Sequence, residues 1–135
     1  DLGLLAALEN YIREWSHHTN VAAEFHTFGL ANTRLAWEIE TNLYRIAQEA
    51  LNNIYKHAKA SKVEIMLEKR EDSIVLIIED NGAGFDVKDK INRAKGIGLI
   101  GITERAVIIG GKSEIESREG AGTTIFVRVP VKFPA

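Results

Sequence analysis

The chain has 135 residues, 45% hydrophobic and 27% charged, with two prolines, no cysteine and a formal net charge of −2. That is the composition of an ordinary globular domain, long enough to bury roughly two thirds of the surface its unfolded form exposes. Disulfides, thiolate zinc sites and cysteine nucleophiles are excluded within the chain; the charge offers no basic field to a nucleic acid, and no apolar run reaches the roughly 18 residues that could span a bilayer, so neither nucleic acid nor membrane is an expected partner of this segment.

The chain opens at Asp1 without an initiator methionine or a signal-peptide pattern, which reads as a segment of something longer. Residues 2–15, LGLLAALENYIREW, set Leu4, Leu5, Leu8, Tyr11, Ile12 and Trp15 at i, i+3, i+4, i+7 spacing and predict an amphipathic helix. SHHTN reads as a polar break, followed by a short strand over VAAEFHTF. Residues 35–58 carry the clearest helical period, with Leu35, Ile39, Leu43, Ile46, Ala47, Ala50, Leu51 and Ile54 on one side, and predict a long central helix. From Lys62 the period becomes two. VEIMLEKR and SIVLIIED read as strands joined at Glu71-Asp72, the second apolar enough to be central and covered. Residues 86–97, polar and basic, predict a loop, and LIGITERAVII, residues 99–109, a helix stopped by Gly110-Gly111. KSEIESRE and TTIFVRVPV predict two closing strands around the turn GAG. This order is not a regular βαβ alternation, so the expected fold is α+β: one domain over residues 1–135, a two-layer α/β sandwich with helices on one face of a mixed sheet.

Three stretches can carry chemistry. On the central helix Glu49 and Asn53 are four residues apart and share a face, and Lys56 and His57 continue that polar row along the rim of the apolar stripe. The row is either a solvated helix face or the edge of a cleft. Two adjacent asparagines, poor helix formers, point to a compensating use. In a cleft, the Asn53 amide oxygen could complete the oxygen shell of a magnesium ion bridged to phosphates, with Glu49 holding or activating a water. The stretch IEDNGAGFD, residues 78–86, contains Asn81-Gly82, a strong hairpin signal because both residues tolerate the positive φ of a type I′ turn. The residues that follow, AGFDVKDKINRAK, do not alternate as a second strand would. The other reading sets the Asp80 carboxylate at a strand end, accepting a hydrogen bond from the exocyclic amino group of a base, with Gly82 and Gly84 removing bulk beside it. Third, GIGLIG, residues 96–101, matches a dinucleotide fingerprint in letters but lacks the strand that must precede it; Gly96, Gly98 and Gly101, with Leu99 at a helix start, suit a phosphate cradle of backbone amides. His17, His18 and His26 have no metal-site spacing, Trp15 and Trp37 read as core or interface anchors, and Arg105 reads as a solvated helix charge or a contact to phosphate or partner.

Taken in order, QEALNNIYKHA, EDNGAGF, GIGLIGITERA and GAGTTIFVRVP resemble the N, G1 and G2 boxes and the terminal strand of the GHKL (Bergerat-fold) ATP-binding superfamily. Within it they are similar to the catalytic domain of bacterial two-component sensor histidine kinases, in the subfamily of nitrate, desaturase-regulating and cell-wall-stress sensors. The resemblance runs from about Leu35 to Pro130 and implies ATP and Mg²⁺ as cofactors. By position it implies Glu49 as the catalytic acid of the N box, Asn53 as the magnesium ligand, and Lys56 and His57 on the phosphate side. It makes Asp80 the partner of the adenine amino group, with Gly82 and Gly84 shaping the pocket. Gly96, Gly98, Leu99 and Gly101 then lie at the lid end near the phosphates, and Thr123 supports Asp80 through water. Residues 86–95 would be a short ATP lid without a phenylalanine-rich box. The chain carries no dimerisation helix with a phosphoacceptor histidine, and residues 1–20 resemble the continuation of that missing hairpin. The implied partners are that upstream domain, a response regulator and a second copy of the full kinase; the implied compartment is the cytoplasm, with any membrane anchor upstream. Two other functions stay open: a self-contained ATPase or anti-sigma-type serine kinase, with Glu49 as general base, and a non-enzymatic interaction module.

Overall fold

The computed structural model describes residues 3–84 and 97–133; the expected lid, residues 86–95, and Gly96 lie outside the described residues. Helix α1 covers Gly3–Thr19, strand β1 Ala22–Phe28, and helix α2 Trp37–Asn53, extended by a π-helical turn, Ile54–Ala58. Strands β2, Lys62–Lys69, and β3, Ser73–Asp80, precede helix α3, Ile97–Ile108, and strands β4, Lys112–Ser117, and β5, Thr123–Pro130, follow it. The strands form one five-stranded sheet in the order β1-β2-β3-β5-β4, parallel between β1 and β2 and antiparallel elsewhere.

Strand alternation decides which face is covered. Val63, Ile65 and Leu67 of β2 share a face with Leu76, Ile78 and Asp80 of β3 and with Thr123, Ile125 and Val127 of β5. The apolar members of that set are buried together with Leu8 and Ile12 of α1, Leu43, Ile46 and Leu51 of α2, and Ile102 and Ala106 of α3. The three α-helices therefore lie on one face, as the sequence predicts. Strand β3 is central, which is why its apolar run is nearly continuous.

Several boundaries differ from expectation, each for a local reason. Helix α1 runs through the expected polar break: the Thr19 hydroxyl donates to Trp15 O at 2.8 Å, and the helix ends where Asn20 takes φ +60°. His17 and His18 thus sit exposed in its last turn. Helix α2 begins at Trp37 and not Leu35 because Ala36 is extended, φ −55° and ψ 145°, while its carbonyl accepts the Ile39 and Glu40 amides, each at 3.0 Å. Trp15 is a core anchor, but Trp37 at that helix start is 74% exposed and packs into no core. The central helix does not stay regular to residue 58. It widens into the π-turn and closes at Lys59, whose φ is +52°. Helix α3 starts at Ile97, so Gly98 and Leu99 belong to its first turn.

Glu40, which the sequence does not single out, joins three segments. Its Oε2 accepts the Leu35 N–H at 2.9 Å and Arg34 Nε at 3.1 Å, its Oε1 accepts Arg34 Nη2 at 3.1 Å, and the Leu4 amide at the start of α1 bonds the same carboxylate. Burial alone would raise this carboxyl's pKa; the bonds from Arg34, Leu35 and Leu4 outweigh it and hold the group below its ordinary value. A lowered carboxyl contributes stability above its unfolded pKa and loses it as pH falls through the lowered value. Because Arg34 is more than half exposed, its share is discounted for solvent screening. Glu40→Gln is therefore expected to cost about 1–2 kcal/mol at neutral pH, and to flatten the acid limb of stability against pH in urea titrations. An unchanged acid limb would remove Glu40 as the tie between α1 and α2.

Candidate nucleotide site

Asp80 ends β3 between two neighbours, opposite Val63 on β2 and Thr123 on β5, and its side chain points to the helix-covered face, where it is 5% exposed. Its Oδ1 accepts the Gly82 N–H at 2.7 Å. Burial raises its pKa, backbone bonds from Gly82 and Thr123 pull it down, Glu79 pushes it up, and the net effect leaves it above the usual aspartate value. A buried carboxylate with acceptor capacity to spare is matched to a donor brought by a ligand.

The Asn81-Gly82 corner is not a hairpin. Neither residue takes a positive φ; the left-handed residue is Gly84, φ +66°. Asn81 Oδ1 accepts the amides of Ser61 and Lys62 at 2.9 and 3.0 Å, and its Nδ2 donates to Ser61 Oγ at 2.9 Å, so this side chain caps the start of β2. Gly82 is needed for clearance, since a Cβ there would collide with the Ala58 carbonyl and with Asp80 Oδ1. Ala83 then bonds in two directions, its N–H to Ala58 O at 2.6 Å and its carbonyl to the Gly120 N–H at 2.5 Å. The corner is thereby pinned between the π-turn and the β4–β5 turn, both by backbone.

Above Asp80 opens a cavity of about 180 Å³. Ala50, Ile54, Ala58, Leu99 and Ile125 form apolar walls, and Asn53, His57, Asp80 and Thr123 supply the polar groups. Apolar faces with one deep acceptor suit a flat purine ring carrying an amino group. The wider turn at Ile54–Ala58 places His57 on the wall, while Lys56 is exposed and does not line the cavity. The expected row of Glu49, Asn53, Lys56 and His57 is therefore split. Glu49 also lies off the wall: its Oε1 accepts Arg105 Nε at 2.9 Å. Arg105, expected to be a solvated charge, is in an ion pair with it. Gly101 faces Glu49, because a Cβ on it would sit 2.6 Å from Glu49 Oε2.

Comparison with known proteins supplies the family. A family model described as "Histidine kinase-, DNA gyrase B-, and HSP90-like ATPase" matches residues 38–133. The chain belongs to this ATPase family. ATP is accordingly the nucleotide this domain type binds. The ATPase domain is 37% identical over 134 residues to the signal transduction histidine-protein kinase/phosphatase DegS of Bacillus subtilis (strain 168), covering 97% of this chain and 35% of that protein. It is 36% identical over 131 residues to DegS of Brevibacillus brevis, covering 97% and 33%, and 36% identical to the oxygen sensor histidine kinase NreB of Staphylococcus carnosus (strain TM300), covering 97% and 37%. The chain thus spans about a third of the length of these curated relatives. Its fold matches the histidine kinase domain of a blue-light activated histidine kinase from Erythrobacter litoralis EL346, with TM-score 0.75 at 17% identity over 96% of this chain and 61% of that one. The ATPase fold is the two-layer sandwich that the four boxes imply. No helix among the described residues is long and apolar enough to cross a membrane.

Some site residues escape a reading of the sequence. The Ser117 hydroxyl lies 2.8 Å from Thr123 Oγ1 and donates to Gly122 O at 3.1 Å, a support beside Asp80 that only the β4–β5 register reveals. Gly122, φ +77°, lets the Asp80 carbonyl pass where a Cβ would block it; its letters signal no more than a turn.

Proposed function

We propose that this chain is the catalytic and ATP-binding domain of a sensor histidine kinase, presenting the γ-phosphoryl of Mg-ATP to a histidine carried on another domain. The observation that carries the reading is the pairing of a buried, spare acceptor at Asp80 with an apolar slot that leads towards Asn53 and the start of α3. Adenine would enter ring-first between Ile54, Leu99 and Ile125, its amino group donating to Asp80, with Thr123 steadying that carboxylate through water. Gly82 and Gly84 keep the floor clear. The triphosphate would then run out past His57 and Asn53, with Lys56 reaching it from solvent and the amides of Gly96, Gly98, Leu99 and Gly101 at the lid end.

The residues fit a magnesium ion of the kind that keeps several waters and takes phosphate oxygens. Asn53, whose side chain carries an amide oxygen, lines the wall, and Glu49 lies one turn before it on α2. When bound, the ion neutralises charge on the β- and γ-phosphates. In the transfer, an imidazole nitrogen forms the bond to γ-phosphorus as the bond to the bridging oxygen breaks and ADP leaves. Glu49 is the acid assigned to hold a water at that end. The histidine would lie on an upstream dimerisation domain of a cytoplasmic homodimer that serves a response regulator; what supports a domain outside this chain is that the relatives are histidine kinases roughly three times as long.

Asn53→Ala is expected to remove the Mg²⁺-dependent part of ATP affinity, roughly tenfold or more, and to leave adenosine binding unchanged. Calorimetry with and without EDTA measures both. Phosphorylation of a separately supplied histidine-bearing dimerisation domain tests the reaction itself. Rapid ATP hydrolysis by the chain alone, abolished by Glu49→Gln, would favour the self-contained ATPase instead.

A further inference from the structure

Glu49 and Arg105 belong to different helices, each of which also lines the cavity. On α2, Glu49 precedes Asn53 by four residues; on α3, Gly101 and Arg105 follow the wall residue Leu99. Arg105 Nε donates to Glu49 Oε1 at 2.9 Å, with the two side chains 36% and 31% exposed. Glu49 Oε2 is different: it is buried, has no hydrogen-bond partner among the described residues, and lies against Gly101, where a Cβ would come within 2.6 Å of it. A carboxylate bonded at one oxygen and wedged at the other has one orientation. Glycine at residue 101 leaves room for Glu49 Oε2, where a Cβ would push that side-chain end aside. This tie joins the helix that carries Asn53 to the helix that carries Leu99, whereas Asp80 and Thr123 stand on strands β3 and β5.

We propose that Arg105 is a positioning residue which, through Glu49, holds α3 against the helix carrying Asn53 and so fixes the phosphate end of the nucleotide pocket. This rests on the nucleotide reading above. The adenine end, built from Asp80, Thr123 and the pinned corner at Ala83, shares no hydrogen bond with the pair. Disturbing Arg105 should loosen ligands with phosphates and spare those without.

The test compares Mg-ATP, Mg-ADP and adenosine on one set of folded proteins, by calorimetry for the nucleotides and NMR titration for adenosine. Arg105→Gln is expected to weaken both nucleotides roughly 5- to 20-fold, the scale of one charge-assisted hydrogen bond, and to move adenosine less than about twofold. Arg105→Lys should recover part of the loss. The double variant Arg105→Gln with Glu49→Gln should bind no more weakly than Glu49→Gln alone, because Arg105 acts through that side chain. Wild-type nucleotide affinity in Arg105→Gln would overturn the proposal, as would an equal loss for adenosine, which a general structural role predicts. If Arg105→Gln does not fold, the ratio of nucleotide to adenosine affinity in Arg105→Lys decides in the same way. Failure of the nucleotide reading shows separately: a wild-type chain that binds neither adenosine nor ATP would overturn both.

Discussion

Asp80→Asn is expected to lose ATP binding by about 100-fold or more while melting no lower than the wild type. The loss follows from polarity. The buried acceptor becomes a group that presents an N–H₂ to another N–H₂, and a polar site offered the wrong partner rejects it far more strongly than an apolar pocket rejects a misfit. The fold survives because the Gly82 amide can still donate to an amide oxygen in the same place. The melting temperature follows from the pKa. A carboxyl raised in the folded state contributes stability that is fully present below its unfolded pKa and lost as pH rises through the raised value, so at neutral pH the ionised Asp80 is a burden on the empty domain. The wild type should therefore gain on the variant as the pH falls, and lie level with it or below it at pH 7. Calorimetric titration with Mg-ATP and melting curves at the two ends of that range measure both effects. Unchanged ATP affinity in the variant would end the assignment of Asp80 to adenine.

Gly82→Ala should be among the most damaging single substitutions in the domain, costing about 2–4 kcal/mol and closing the cavity. The added methyl meets backbone, the Ala58 carbonyl, which cannot rotate away because it accepts the Ala83 amide at 2.6 Å. Relief requires moving the π-turn or the corner, and both line the site. Gly110→Ala is the control. Gly110 also sits at a special position, φ +76°, but in open space, so only conformational strain of about 1 kcal/mol is at stake. Urea denaturation separates the two, and a Gly82 variant no less stable than the Gly110 one would mean that the corner shifts freely.

These residues also show what a sequence makes legible. Elements with long, clean periods came through, because burial of one face sets both the period and the packing: the α2 stripe through Leu43, Ile46, Ala50 and Leu51, and the run in β3, are core in the structure. The place of Asp80 is readable, since a carboxylate that closes an apolar run lies at the end of a central strand, where the structure buries it. Helix ends were less so. At Thr19 and Ala36 they are decided by one or two side-chain or backbone bonds that composition does not encode. The ion pair of Glu49 with Arg105 spans 56 positions, and nothing near either residue announces the other. The letters of residues 54–58 continue a regular helical pattern, which puts Lys56 and His57 in one polar row; the structure divides them.

That division comes from the π-turn, and it bears on how the domain could be engineered. A π-turn is an α-helix with one residue too many, and deleting a residue there lets the backbone return to regular hydrogen bonding. Tyr55, 60% exposed, would be the natural choice for removal. The helix would improve, but the wide turn that sets His57 on the cavity wall and the Ala58 carbonyl opposite the Ala83 amide would be gone. A screen for stabilising deletions would reward the change, and a screen for nucleotide binding would discard it.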